Sequence, residues 1–144
     1  DTLPTKYRGT YMASYIDDIA DFLEDEGIGT VGTNLFIGRK IDSDDTSLPN
    51  NIVVLYETGG VAPSIDIPTK NPTFQVYVRN TDYALGRAKI EAVRTALHQT
   101  YGDTIGSTSF MYIVAQSEPG YIGRDEPDTN GREEFSINFI ALHR

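Results

Sequence analysis

The residues of this 144-residue chain that could do chemistry are few and scattered. There are two histidines, His98 and His143, and no cysteine, so disulfides and thiolate zinc sites are impossible. A first-row metal would need both imidazoles plus carboxylates, and their positions give no ligand spacing. Gly27-Ile28-Gly29-Thr30-Val31-Gly32 matches G-x-G-x-x-G letter for letter. That pattern holds phosphate when a strand precedes it and a helix follows, because helix-terminal amides then meet the anion. Here a helical pattern precedes it and Leu35-Phe36-Ile37 follows as a strand, so it reads as a turn. Asp42-x-Asp44-Asp45 opens like a calcium loop, but Ser47 and Val53 stand where glycine and a bidentate glutamate are required. No serine sits in a G-x-S-x-G elbow, and Glu133 and Glu134 alternate faces on an extended segment. The expectation is no enzyme, no catalytic set, no cofactor and no metal.

Charge on loops is the stronger signal. Arg124-Asp125-Glu126 and Arg132-Glu133-Glu134 place arginines beside acids where neither has a core role. Such pairs are either screened surface contacts worth ~0–1 kcal/mol each or complementary charge on a self-associating face. Ile65 and Ile67 stand apart in Ser64-Ile65-Asp66-Ile67-Pro68, inside a long connection over residues 57–71. Connections of that length are commonly functional or ordered by a partner. Arg79, on the polar face of an alternating strand, completes the candidate interface set of Arg79, Arg124, Asp125, Arg132, Ile65 and Ile67.

The elements that hold these residues follow from periodicity. Thr10 is the expected N-cap of a first helix that Gly27 stops. Met12, Tyr15, Ile16, Ile19, Ala20, Phe22 and Leu23 share its apolar face; Ser14, Asp17, Asp18, Asp21, Glu24 and Asp25 share the other. Strands are expected at residues 34–39, 52–56 and 74–79, the second buried on both faces. In the third, Phe74, Val76 and Val78 oppose Gln75, Tyr77 and Arg79. A second helix spans 83–100 behind Asp82, with Gly102 as its stop and Lys89 reaching outward from its apolar side. Gly86 there marks either close approach to a neighbour or a tolerated helix cost of ~1 kcal/mol. Residues 110–116 and 133–143 read as strands four and five, joined by a long, charge-mixed connection. The order α-β-β-β-α-β-β predicts one α+β domain over 1–144, a mixed or antiparallel sheet of about five strands with two main helices packed on it.

Composition agrees. Hydrophobic content of 39% and charged content of 23% are ordinary for a globular chain. A formal net charge of −9, from 21 acidic and 12 basic residues, repels a phosphate backbone and disfavours specific DNA binding. No run approaches the ~20 apolar residues of a spanning helix and no signal-peptide pattern is seen, so a soluble protein is expected. The chain opens at Asp1 without methionine, which suggests processing or trimming.

Several segments, in order, resemble a known family. They are Tyr56-Glu57-Thr58-Gly59-Gly60, Pro72-x-Phe74-Gln75-Val76-x-Val78-Arg79, Asp82-Tyr83 and Leu97. Downstream come Gln116, Pro119, Ile122-Gly123-x-Asp125, Gly131-Arg132 and Ser136-x-Asn138-Phe139. From Ile52 to Ile140 the chain resembles the tail-terminator (tail-completion) proteins of long-tailed bacteriophages, including the family often labelled phage minor capsid protein. Before Asn51 it matches only as a helix followed by a strand. The resemblance implies a virion protein at the tail-neck junction, assembled in the host cytoplasm and forming a ring of typically six copies. Such a ring caps the head-proximal end of the tail tube, stops its growth and meets the head-side connector. Its expected partners are further copies of itself, the tube protein and the neck protein, with no membrane contact and with DNA passing through unbound. Another head-to-tail joining protein is the nearest alternative. A small enzyme or ligand-binding domain using residues 27–32 or 57–71 is the more distant one.

Overall fold

The computed structural model describes residues 14–39, 48–125 and 131–144. Its elements are α1 (Tyr15–Asp25), β1 (Leu35–Ile37), β2 (Ile52–Gly60), β3 (Pro72–Asn80), α2 (Tyr83–Leu97), β4 (Thr100–Ile105), β5 (Thr108–Ala115), β6 (Gly120–Asp125) and β7 (Arg132–His143). The α+β class is as expected, but the sheet has seven strands rather than about five, in the order α-β-β-β-α-β-β-β-β. β4 and β6 are the additions. Thr10, Met12 and the acids at 42–45 lie outside the described residues.

The sheet runs β1-β2-β3-β7-β5-β4, with β6 also on β7. Among the named strands only β1 and β2 pair in parallel. β7 is its spine. One edge of this 12-residue strand pairs with β3, and the other edge takes β6 near its start and β5 near its end. Strict alternation along β7 sends Phe135, Ile137, Phe139 and Ala141 into the core.

Both helices cover one face. Ile16, Ile19, Ala20 and Leu23 of α1 and Ile90, Val93 and Leu97 of α2 join Val53, Leu55, Phe74, Val76, Val78 and the inward residues of β7 in one core cluster. Phe74 and Phe139 stack at 5.2 Å at its centre. Each fully buried side chain of this size contributes about 1.5–3 kcal/mol. α2 approaches β7 closely because residue 86 is glycine: a Cβ there would stand 2.5 Å from the Phe135 ring. A smaller cluster on the other face joins Leu48, Ile52, Val54 and Tyr77, so β2 is buried on both faces as its apolar run implies.

Several boundaries move. α1 starts behind Ser14, whose backbone N–H donates to Asp17 Oδ2 at 3.0 Å. Asp18, expected on the solvent face, is buried and clamps the β4–β5 turn. Its Oδ2 accepts from the Ser107 N–H at 3.2 Å and from the hydroxyls of Ser107 and Thr108 at 3.1 and 2.5 Å. α2 ends at Leu97 rather than residue 100: His98 turns extended and Gln99 takes φ +62°, so Gly102 is not the stop. Gly59 and Gly60 do not break β2, which runs through them with a register shift opposite β3. No helix among the described residues is long and apolar enough to cross a membrane.

Candidate assembly surfaces

The β2–β3 connection is shorter and better ordered than its sequence suggests. β2 and β3 pair out to Gly60 and Pro72, which leaves residues 61–71 as the projecting loop. Gly60 is required at its root, since a Cβ on its φ +139° backbone would stand 2.4 Å from the Asn71 carbonyl oxygen. Val61 N–H bonds the Asn71 carbonyl at 3.0 Å, and Lys70 exchanges backbone hydrogen bonds with His143 at 2.7 and 2.9 Å. Within the loop, Ser64 Oγ accepts from the amides of Asp66 and Ile67 at 3.1 and 3.2 Å, a turn that fixes the apex. Ile65 at that apex is 99% exposed, with Val61 and Ile67 more than half exposed. The closed turn therefore holds an isoleucine in full solvent, with two further exposed apolar side chains in the same loop.

A second apolar surface lies at the far end of β3. Tyr83 opens α2, and its ring meets those of Tyr121 and Phe135 at 5.2 and 5.3 Å. Tyr83, Leu85, Tyr121 and Ile122 are all exposed there. Ile122 is squeezed out by a register shift between Tyr121 and Gly123 where β6 meets β7. These residues were not foreseen. Their signal was an apolar pair, Tyr121-Ile122, set between two glycines inside a charged connection. Loop and patch are separated by the nine residues of β3, about 26 Å along the strand.

The expected arginines border this patch, in unequal roles. Arg124 is half exposed and donates to Glu133 Oε2 at 2.8 Å; Tyr121 donates to the other oxygen of that carboxylate at 2.6 Å. That bond raises the Tyr121 phenol above its ordinary value. Asp125 is partly exposed and accepts from Arg132 Nη2 at 2.8 Å. Arg132 itself is 3% exposed, so reversing its charge would disturb the subunit first. Arg79 is 1% exposed, against the expectation of a polar strand face. Its guanidinium donates to the Pro49 and Asn50 carbonyls at 2.8 and 3.0 Å. Burial and then the nearby charge of Arg132 lower its pKa, while burial and then a short bond to Glu134 raise that of Tyr77. Register sets Arg124 opposite Glu133 and Asp125 opposite Arg132, so the two take opposite faces of β6, and the buried Arg79 and Arg132 brace the face that carries Asp125.

Among the described residues, the glycine turn and both histidines make contacts within the fold. In the G-x-G-x-x-G turn, Gly27 and Ile28 amides close the end of α1 on Glu24 and Leu23 carbonyls at 3.0 and 2.9 Å. Thr30 N–H goes to Asn34 Oδ1 and Val31 N–H to Glu24 Oε1, both at 2.7 Å, and Gly32 N–H to the Leu35 carbonyl at 2.9 Å. With five amides satisfied internally, no phosphate cradle is offered. His98 Nδ1 accepts from the Ala115 N–H at 3.0 Å, and His143 stacks on Tyr15 at 5.3 Å. No group of three or more metal-ligating side chains occurs among the described residues.

Fold and surface together define a class: an α+β protein with a projecting apolar loop at one end of its sheet and an aromatic patch at the other. The chain belongs to the bacteriophage tail terminator protein family, whose profile matches residues 22–142. The match begins inside α1, well before the stretch from residue 52 on which the resemblance rests. It makes the chain a phage tail protein with a structural role, associated with other virion components. Comparison with curated proteins gives no match.

Proposed function

We propose that this protein is the ring subunit that caps the head-proximal end of a phage tail tube. The ring ends tube polymerisation, joins the tail to the head-side connector and contains six copies. One observation carries the reading: the Ile65 tip and the Tyr83–Ile122 patch are both exposed and lie at opposite ends of β3. Two different complementary surfaces on one chain make a heterologous contact, and a heterologous contact that closes makes a ring. Ile65 and Ile67 of one copy seat on the patch of the next, with Arg124 and Asp125, on opposite faces of β6, forming a polar rim at that edge. Arg79 and Arg132 support that rim from inside the subunit. The acidic chain lets DNA pass the bore unbound; a ring whose bore was lined with lysine and arginine would overturn that part.

The test is Ile65→Asp, read by native mass spectrometry and by imaging of tail tubes. The side chain is fully exposed, so the variant folds and melts as the parent does. Losing one apolar anchor worth about 1.5–3 kcal/mol weakens each contact by tenfold or more, and the ring population collapses to monomer. A ring that persists unchanged, or a parent that remains monomeric even at tube ends, refutes the reading.

A further inference from the structure

The end of the sheet beside the aromatic patch holds a cavity of about 240 Å³ between the α1–β1 turn, the start of β2 and the N-terminal half of α2. Its polar wall is unusual for so acidic a chain. Lys89, Arg79, Asn34, Asn51 and Asn80 line it, and among the described residues no aspartate or glutamate does. Each asparagine has its orientation fixed by a backbone donor. Asn34 Oδ1 accepts from Thr30 N–H at 2.7 Å, Asn51 Oδ1 from Thr81 N–H at 3.0 Å, and Asn80 Oδ1 from Asp82 N–H at 2.9 Å. An oxygen that receives an N–H cannot be the nitrogen, so the flip is decided in all three. Each is left with an amide NH2 that has no acceptor among the described residues. The Lys89 ammonium gives one hydrogen to the Ile28 carbonyl at 2.9 Å and has no carboxylate partner there. Lys89 therefore does not reach outward to solvent, as its place on the helix suggested, but into this wall.

Two cations, one of them Arg79 with a buried Nη1 that has no hydrogen-bond partner among the described residues, and three amide NH2 groups around a small polar cavity suit a ligand that accepts hydrogen bonds. We propose that the cavity is an oxyanion site, for a carboxylate or a phosphate group. Two sources share that chemistry. One is a free inorganic anion. The other is Asp66, whose exposed carboxylate, between Ile65 and Ile67 at the loop tip, has no ion-pair partner among the described residues. On the ring reading above, that tip docks at the end of β3 where this cavity opens, so a neighbour's Asp66 would reach it.

The site is tested without reference to assembly. Inorganic phosphate, and separately sodium glutamate, are titrated into ¹⁵N-labelled protein at fixed ionic strength while the side-chain amides of Asn34, Asn51 and Asn80 are followed. Saturable shifts confined to these amides are expected. Lys89→Gln should weaken binding at least about tenfold, because a charge-assisted bond is lost, and Lys89→Arg should largely restore it. Shifts that are absent, non-saturable or identical in Lys89→Gln overturn the site, whatever the ring does. The source is then read by sedimentation. Association weakened by Asp66→Asn and by Lys89→Gln, and recovered in the exchange Asp66→Lys with Lys89→Asp, assigns the anion to the neighbour. Phosphate binding with association untouched by Asp66→Asn assigns it to a free anion.

Discussion

Asp18 and Asp21 stand one turn apart on α1 and carry the same side chain with opposite effects on stability. Asp18 is buried and accepts three hydrogen bonds from the Ser107–Thr108 turn, and Gly106 beside it, at φ +60°, leaves no room for a Cβ. Asp18→Ala strands those donors and should cost about 1–3 kcal/mol in chemical denaturation, with Asp18→Asn costing less because one acceptor remains. Asp21 makes no such bonds. Burial first, then the charges of Glu24, Asp18, Asp17 and Asp25, raise its pKa above the ordinary carboxylate value. A raised acid pKa means that the folded state holds the proton more tightly than the unfolded one. Its favourable contribution is complete below the unfolded pKa and is lost as pH rises through the folded value. Asp21→Asn should therefore stabilise the protein at pH 7 by a few tenths of a kcal/mol, the scale of one like-charge helix pair discounted for exposure. The advantage should fade on acidification and vanish below about pH 4, which melting of both proteins across pH 3–8 would show.

At the scale of elements, Gly86 shows packing overriding propensity. Alanine in a helix interior is favoured over glycine by about 1 kcal/mol, yet a Cβ at 86 would stand 2.5 Å from Phe135 and 3.2 Å from Asn80. Gly86→Ala should lose about 1–3 kcal/mol in denaturation with helix content by circular dichroism unchanged, the mark of overpacking. This glycine stands out because it interrupts an otherwise regular amphipathic helix, but the pattern leaves close approach and a tolerated cost as equal readings. The strands that were not legible lack that kind of signal. β4 is exposed along most of its length, so it has no apolar alternation, and Tyr101 falls four residues after Leu97, a spacing that mimics a continuing helix. β6 carries a register shift that breaks its period of two. Arg79 was placed correctly on the face opposite Phe74 and Val78, but its cover comes from the carbonyls of Pro49 and Asn50, which no local pattern ties to it. Periodicity reports which face a residue takes; it does not report what a distant loop lays over that face.

For the whole molecule, the decisive matter is that the two apolar surfaces are different. An isologous dimer uses one patch twice, so damage to that patch damages both halves of the contact. In a heterologous ring each copy gives a tip to one neighbour and a patch to the other. Two single defects are then complementary. Ile65→Asp spoils the tip and leaves the Tyr83–Ile122 patch intact, while Ile122→Asp spoils the patch and leaves the tip. Both side chains are exposed, so neither change touches the core. Alone, each variant should stay monomeric, since every contact needs one good tip and one good patch. Mixed in equal amounts, they should form a one-to-one heterodimer through the single remaining good pair and stop there, because that dimer offers only a ruined tip and a ruined patch. Native mass spectrometry distinguishes the mixed dimer from either homodimer when one variant is isotope-labelled. A mixture that rebuilds full rings, or that gives no dimer while each variant remains folded, would show that tip and patch do not meet.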